Sequence, residues 1–296
     1  MKTYLANPRY PTLCGIPDGM AMGKSPRERF GELARAPEDR INLAEGALLI
    51  AAEAYPRLDI PEYLRRLDTL AHEARAFVST ARSGSERVAR LNHFLFVEKR
   101  FVGNQKRYYD RRNSFLNEVL DRHTGIPITL SLVYMEVAGR LGLPVEGVGF
   151  PGHFLAKYVG DEEIIIDAFF GQVLSEHDCQ ERLQSILGPD TQFDRRYLRS
   201  ARPKEILARM LGNLKQAHIN AEEFEAALSC SERILLLTPE AAQELRDRGL
   251  LYQRLECYGP ALADLQRFLE LAPEDETAPV IRENLIEVRR LAAQIQ

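Results

Sequence analysis

NSFLNEVLDRHTGIPITLSLVYMEVAGRLGLPVEGVGFPGHFLAKYVGDEEIIIDAFFG, residues 113–171, is the stretch that decides the fold. It reads as a helix, a tight Gly-Ile-Pro entry at Gly125 to Pro127, a second helix, and then short strands that carry one histidine and one aspartate. Pro127 suits a first helical turn, where its missing N–H is not needed and its φ is already set. After it Ile128, Leu132, Met135 and Leu141 recur with Val133, Val137 and Ala138 between them, a stripe broad enough to lie buried against a sheet. Gly142 and Pro144 end that helix. Val145 to Phe150, Phe154 to Tyr158 and Glu163 to Asp167 read as strands, the last two joined at Val159-Gly160-Asp161, so one helix leads into a meander.

If Gly160 centres an odd-length turn, opposed residues sum to 320, which pairs Leu155 with Ile165 and His153 with Asp167. Opposed residues hold their Cβ atoms roughly 4.5–5.5 Å apart on one face, so imidazole and carboxylate could hydrogen-bond. A two-residue turn would break the pair. On pattern alone it is equally a structural ion pair or part of a site.

Such a helix, the Gly142-Leu143-Pro144 that follows it, a strand with His153 and a second strand ending in Asp167 are similar to the transglutaminase-like core, a papain-like α+β fold. NSFLNEVL, GIPITLSLVYMEVAGRLGLP, GFPGHFLAKY and IIIDAFFG resemble, more narrowly, the bacterial transglutaminase-like family named after an invasion-gene regulator, whose members carry tetratricopeptide repeats at the C-terminus. The resemblance spans about residues 40 to 290. It implies a Cys-His-Asp triad in which His153 and Asp167 match the second and third positions. Counted from Gly125 and from Gly142, the nucleophile's place falls on Pro127, an imino acid with nothing to attack with. The catalytic cysteine is the departure.

The chain of 296 residues is 45% hydrophobic and 28% charged, an ordinary globular composition with length for two domains. Its net charge of -4 offers no basic stripe for nucleic acid or an anionic membrane. No run of eighteen apolar residues and no compact apolar leader occurs, and Cys14, Cys179, Cys230 and Cys257 are too scattered for a zinc or disulfide framework. Reduced thiols in a cytoplasm, with no metal and no cofactor, are expected. Residues 1–24 are rich in Pro and Gly and read as an irregular segment free to drape over the cleft. Residues 25–175 read as the core, opening with helices that start at Ser25-Pro26, near Asp39, at Asp59-Ile60-Pro61 and at Ser83 or Ser85. Residues 176–202 read as a linker with a short helix, and 203–296 as an all-α repeat region.

The repeat shows as a period of 34: EEFEAALSCSERILLLTPE (222–240) aligns with ECYGPALADLQRFLELAPE (256–274), superposing Ala227 on Ala261 and Pro239 on Pro273. Gly249 and Tyr252 fill the small and aromatic positions of the tetratricopeptide helix-turn-helix. Two repeats are too few to stand alone, so the stack must lean on the core or on another chain. With 16 acidic against 11 basic residues from 203 to 296, it would suit a neutral or basic partner peptide.

Several other residues are candidates for a cleft. Asn113 and Asn117 share a helix face that lines the cleft beside His153 or caps the helix start, capping being favoured for Asn113. Glu53 and His72 read mainly as surface or boundary groups. The basic-aromatic run Lys99 to Arg112, with Phe101, Tyr108 and Tyr109, reads as a solvated loop before nucleic acid. Among hydroxyls Thr129 is the candidate nucleophile, with Ser131 close by, yet Thr129 lies about 200° round the helix from position 127. The favoured reading is thus a non-catalytic scaffold that binds a protein through its repeats. The alternatives are a hydrolase or acyl-transfer enzyme of cysteine-protease-like type using His153 and Asp167 with an unconventional nucleophile, and a sensor using the same cleft. The sequence assigns no oligomeric state.

Overall fold

The computed structural model describes residues 24–295. The expectation for the first 24 residues, Cys14 included, therefore lies outside the described residues save for Lys24. Helix α1 (Pro26–Arg35) starts on a reciprocal cap: the Ser25 hydroxyl accepts from Glu28 N while the Glu28 carboxylate accepts the Ser25 N–H at 2.8 Å. After a 3-10 turn at Glu38–Arg40, Asn42 caps α2 (Leu43–Ala52), which is buried almost throughout. Asp59 caps α3 (Ile60–Val78), and Ser83, not Ser85, caps α4 (Gly84–Asn92), which runs on as a π-helical turn at His93–Glu98. Strand β1 (Val102–Gly103) pairs in parallel with β2 (Thr124–Gly125). Between them stand a 3-10 turn at Arg111–Ser114 and α5 (Leu116–Arg122). The helix expected from Asn113 is thus broken into two pieces.

Helix α6 (Pro127–Arg140) follows with Pro127 at its first position. It leads into β3 (Val145–Val148), β4 (Leu155–Val159), β5 (Glu163–Asp167) and β6 (Gln172–Leu174), an antiparallel meander in that order. Then come α7 (Glu176–Leu187), a 3-10 turn at Arg195–Leu198, and five helices: α8 (Pro203–Asn220), α9 (Phe224–Leu237), α10 (Ala242–Arg254), α11 (Tyr258–Leu271) and α12 (Ala278–Ile295).

The register differs from the expected one. Lys157 faces Ile165 and Ala156 faces Ile166, so pairs sum to 322 and the turn centres on Asp161. The cause is Asp161: one carboxylate oxygen accepts the Tyr158 hydroxyl at 2.8 Å and the other the Gly84 N–H at 3.0 Å, tying the turn to the start of α4. A shift of two leaves every side chain on its own face, whereas a shift of one would have reversed them all.

The strands alternate accordingly. Ala156, Tyr158, Ile164 and Ile166 join a large core with α1 to α6, and α8 and α9 also feed that core. Leu155, Ile165 and Leu174 point the other way, into a second core made with Cys179, Leu183 and Leu198. The segment 176–202, expected to be a linker, is therefore packed: α7 roofs the outer face of the sheet. Beyond it Ala227 and Ala261 are wholly buried, and at Gly249 an added Cβ would come within 2.7 Å of Leu265, so small residues set the close approach of the repeat helices.

Candidate functional site

Asp167 ends β5, where the chain turns back toward β6. Its Oδ1 accepts the backbone N–H of Phe169 at 2.9 Å and of Phe170 at 3.3 Å, a turn made by an aspartate over its own following residues. Gly171 closes that turn at φ 69°, a conformation favouring glycine. The other oxygen, Oδ2, accepts from His153 Nε2 at 3.0 Å and from the Arg182 guanidinium of α7. The carboxylate is wholly buried and has four donors. Burial acts to raise its pKa, but the His153 hydrogen bond and charge, with the charge of Arg182, outweigh it and hold the group below its ordinary value.

His153 lies two residues ahead of β4, just after Gly152 at φ 62°. It does not directly oppose Asp167, as the sum of 320 required, but reaches it from the turn on the same face of the sheet. Its ring stacks on Phe170, centroids 6.3 Å apart, and meets the edge of Phe169 at 6.1 Å. In the neutral ring the nitrogen turned to Asp167 is the N–H donor and Nδ1 is the one left with a lone pair. Beside the ring opens a cavity of about 490 Å³, walled by His153, Phe170, Leu174, Asp178, Arg182 and Ile186 together with Ser185. Every wall beyond the histidine comes from β6, the turn before it, or α7.

The remaining sequence candidates are elsewhere. Pro127, Asn113 and Asn117 are buried and none lines that cavity. Asn113 is not a helix cap: its amide donates to the carbonyls of Arg107 at 2.7 Å and Tyr108 at 3.1 Å, closing the basic-aromatic loop. Asn117 Oδ1 is buried without a hydrogen-bond partner. The Thr129 hydroxyl is wholly buried, donating to Asn113 O at 2.8 Å and accepting the Ile126 N–H at 3.1 Å. It belongs to the start of α6, not to His153. Ser131, two residues further on, donates to Phe154 O at 3.4 Å. Cys179 is wholly buried with its pKa pushed up to about 11 by burial, and burial likewise raises Cys230, the reverse of an activated thiol.

Three of the six loop cations are paired with acids: Lys99 with Glu73, Arg111 with Glu223, and Arg112 with Asp110 at 2.7 Å. Glu53 accepts the Ser229 hydroxyl at 2.7 Å, joining α2 to α9, while His72 is exposed. No group of three or more His, Cys, Asp or Glu among the described residues is placed to hold a metal, and no helix there is long and apolar enough to cross a membrane.

Sequence reasoning missed Arg182 and Phe170. A signal for the first existed: Ser175 with Asp178 forms a capping box, and Cys179, Leu183 and Ile186 follow at helical spacing. The box predicts a full helix with one face down, on whose edge Arg182 lies.

Comparison with known proteins adds to this geometry. Residues 61–212 match the family model described as the transglutaminase-like superfamily, and residues 214–285 match a tetratricopeptide repeat model. A UPF0162 protein of Xylella fastidiosa is 36% identical over 264 residues, covering 88% of this chain and 94% of its own. A UPF0162 protein of Vibrio cholerae is 31% identical over 82% of the chain and 91% of its own length. Protein SirB1 of Salmonella typhimurium is 32% identical over 241 residues, 79% of the chain and 88% of its own. Among solved structures a menin crystal structure aligns with 83% of the chain and 69% of its own at a TM-score of 0.35 and 12% identity, too remote to carry argument.

Proposed function

The chain belongs to the transglutaminase-like superfamily, with the UPF0162 and SirB1 proteins as relatives, and from that premise we propose that it is a non-catalytic member: a cytoplasmic adaptor that binds a protein partner through its repeats. The observation that carries this reading is Pro127 at the first turn of α6, the place where the family resemblance puts the nucleophile. A proline offers neither thiol nor hydroxyl, so no triad closes there. Two further observations support it. The neighbouring hydroxyl, Thr129, is spent on the helix start. Asp167 shares one oxygen between His153 and Arg182, which ties the histidine into a hydrogen-bonded network with α7. The repeats then supply the working surface. Leu250, Gln253, Arg254, Tyr258 and Leu291 border an open groove of about 410 Å³ between α10, α11 and α12. Neither nucleic acid nor a membrane is a partner in this reading.

The test pairs two variants in chemical cross-linking from cell extract followed by mass spectrometry. Glu256→Lys, which reverses a groove charge against a neutral or basic partner, is expected to lose the cross-linked partner, and His153→Ala to keep it. The reverse pattern overturns the adaptor reading. One observation favours hydrolase or acyl-transfer chemistry instead: His153 and the Ser185 hydroxyl line the same cavity. Ser185, however, donates to Arg182 O at 2.7 Å. Turnover of a peptide, ester or glutamine-amine pair by the wild-type chain, abolished in His153→Ala, would move that reading to the front.

A further inference from the structure

Away from the His153 cavity, the half-buried Arg209 has no carboxylate partner among the described residues. Arg209 projects from α8, and its Nη2 donates to the carbonyls of Phe150 at 3.0 Å and His153 at 2.6 Å. Its guanidinium carbon lies 5.5 Å from the centroid of the Phe154 ring. Carbonyls and a ring face offer only partial charge, so a half-buried guanidinium with no anion beside it keeps a charge left to neutralise. Burial accordingly pulls its pKa below the ordinary value, with Tyr108 the only group acting the other way. Nη1 lies by Gly149, where an added Cβ would come within 3.4 Å of it.

Both residues line a cavity of about 390 Å³, whose walls also include Arg196, Tyr197, Arg199 and Glu205. Three guanidiniums therefore share one cavity with one carboxylate. That carboxylate is already engaged: Arg199 holds its two oxygens at 3.0 and 3.2 Å and Arg202 donates at 3.1 Å. Burial acts to raise the Glu205 pKa, yet those arginines and the Arg202 N–H bring it down to about 2. Arg196 is paired with Asp194 at 2.7 Å. The positive charge left over belongs to Arg209, with Arg199 next to give up a partner. Planar forks of this kind match the oxygens of a phosphoryl group, and Tyr197 and Phe154 supply an apolar flank.

We propose that this cavity, between α8 and the turn that carries His153, binds a phosphoryl group, as free phosphate or as a small phosphate monoester, through Arg209 and Arg199. The site is separate from the His153 cavity and from the repeat groove, and its failure would leave the adaptor reading untouched.

Isothermal titration calorimetry on the full chain tests it, with inorganic phosphate and phosphoserine as probes and with serine and sodium chloride at matched ionic strength as controls. Saturable uptake of both phosphoryl probes and none of the controls is expected. Equal affinity for the two assigns free phosphate, and tighter phosphoserine assigns the ester. Arg209→Gln should weaken binding roughly tenfold or more, the loss of a charge-assisted contact. Arg199→Ala should weaken it less, while Glu205→Gln should strengthen it by freeing Arg199, a gain that misfolding cannot mimic. Serine binding as well as phosphoserine, no saturable phosphate uptake, or affinity unmoved by both Arg199→Ala and Glu205→Gln would overturn the assignment, even if Arg209→Gln fails to fold.

Discussion

At the scale of single residues the chemistry of Asp167 makes the sharpest predictions. Its folded carboxyl titrates below the unfolded one, so between those two values the unfolded chain holds more protons. The stabilisation is therefore fully present above the unfolded pKa, near ~3.9, and is lost as pH falls through the folded value. Urea midpoints taken from pH 6 down to pH 2 should show wild type losing stability through this window, while Asp167→Asn starts lower and falls less. Equal slopes for the two proteins would refute the assignment. Arg182→Ala leaves the buried carboxylate without its one permanent cation, with His153 and the Phe169 and Phe170 N–H groups as its remaining donors, and should cost on the order of 3 kcal/mol, read from the same denaturation curves. How much of this was legible follows from geometry. The sequence opposes His153 to Asp167 at a sum of 320; the sum is off by two, but the parity, and with it the shared face, survives. The distance between them was not legible, because it depends on the Asp161 contacts to Tyr158 and Gly84, one of them 77 positions away in sequence. Pro127 was placed from its own covalent constraint and needed no partner. Asn113 differs from the expected cap for the opposite reason: its amide is satisfied by a loop upstream whose path no local rule dictates.

Elements were legible in proportion to how far their ends are fixed by neighbours in sequence. Ser25, Asp59 and Pro127 start helices through capping or φ, and α1, α3 and α6 begin there. The segment 113–122 reads as one helix by composition, but Phe115 is extended at ψ 122° and separates a 3-10 turn from α5. Strand β6 has three residues, too short to show an alternation. Two predictions belong here. Helix α7 seals Cys179 against the outer face of the sheet, so its thiol, lifted to about 11, should resist iodoacetamide at pH 8 in native protein while the half-buried Cys257 reacts, as peptide mass mapping would record. Rapid labelling of Cys179 would mean that α7 is not docked. In the repeats, Gly249→Val would drive α10 away from Leu265 and Asp264 and should destabilise by about 1–3 kcal/mol in a thermal melt; an unchanged midpoint would show that the two helices have slack to give.

The whole molecule departs from the sequence reading in where its large core ends. Composition and period change near residue 203, yet the packing does not. Ile206, Leu207, Met210, Leu211 and Leu214 of α8, with Cys230, Ile234 and Leu237 of α9, belong to the same core as α1 to α6. Gly46 of α2 has no Cβ because Leu207 occupies that space, 2.8 Å from where the atom would be. Polar contacts run alongside: Ser229 to Glu53 at 2.7 Å, and Arg27 to Glu232. The expectation that two repeats must lean on something has its physical answer here, since α8 and α9 are buried against the preceding helices. A domain is stable by only about 5–15 kcal/mol, and a chain ended at residue 202 would expose the apolar side chains of α1, α2 and α6 that pack against α8 and α9. It should fail to give a cooperative thermal transition and should bind a hydrophobic dye, whereas a chain ended after Leu237, which keeps α8 and α9, should melt cooperatively. Cooperative melting of the shorter chain would show that the transglutaminase-like part folds without the first repeat helices, and that their contact with it is a docking interface between two independent bodies.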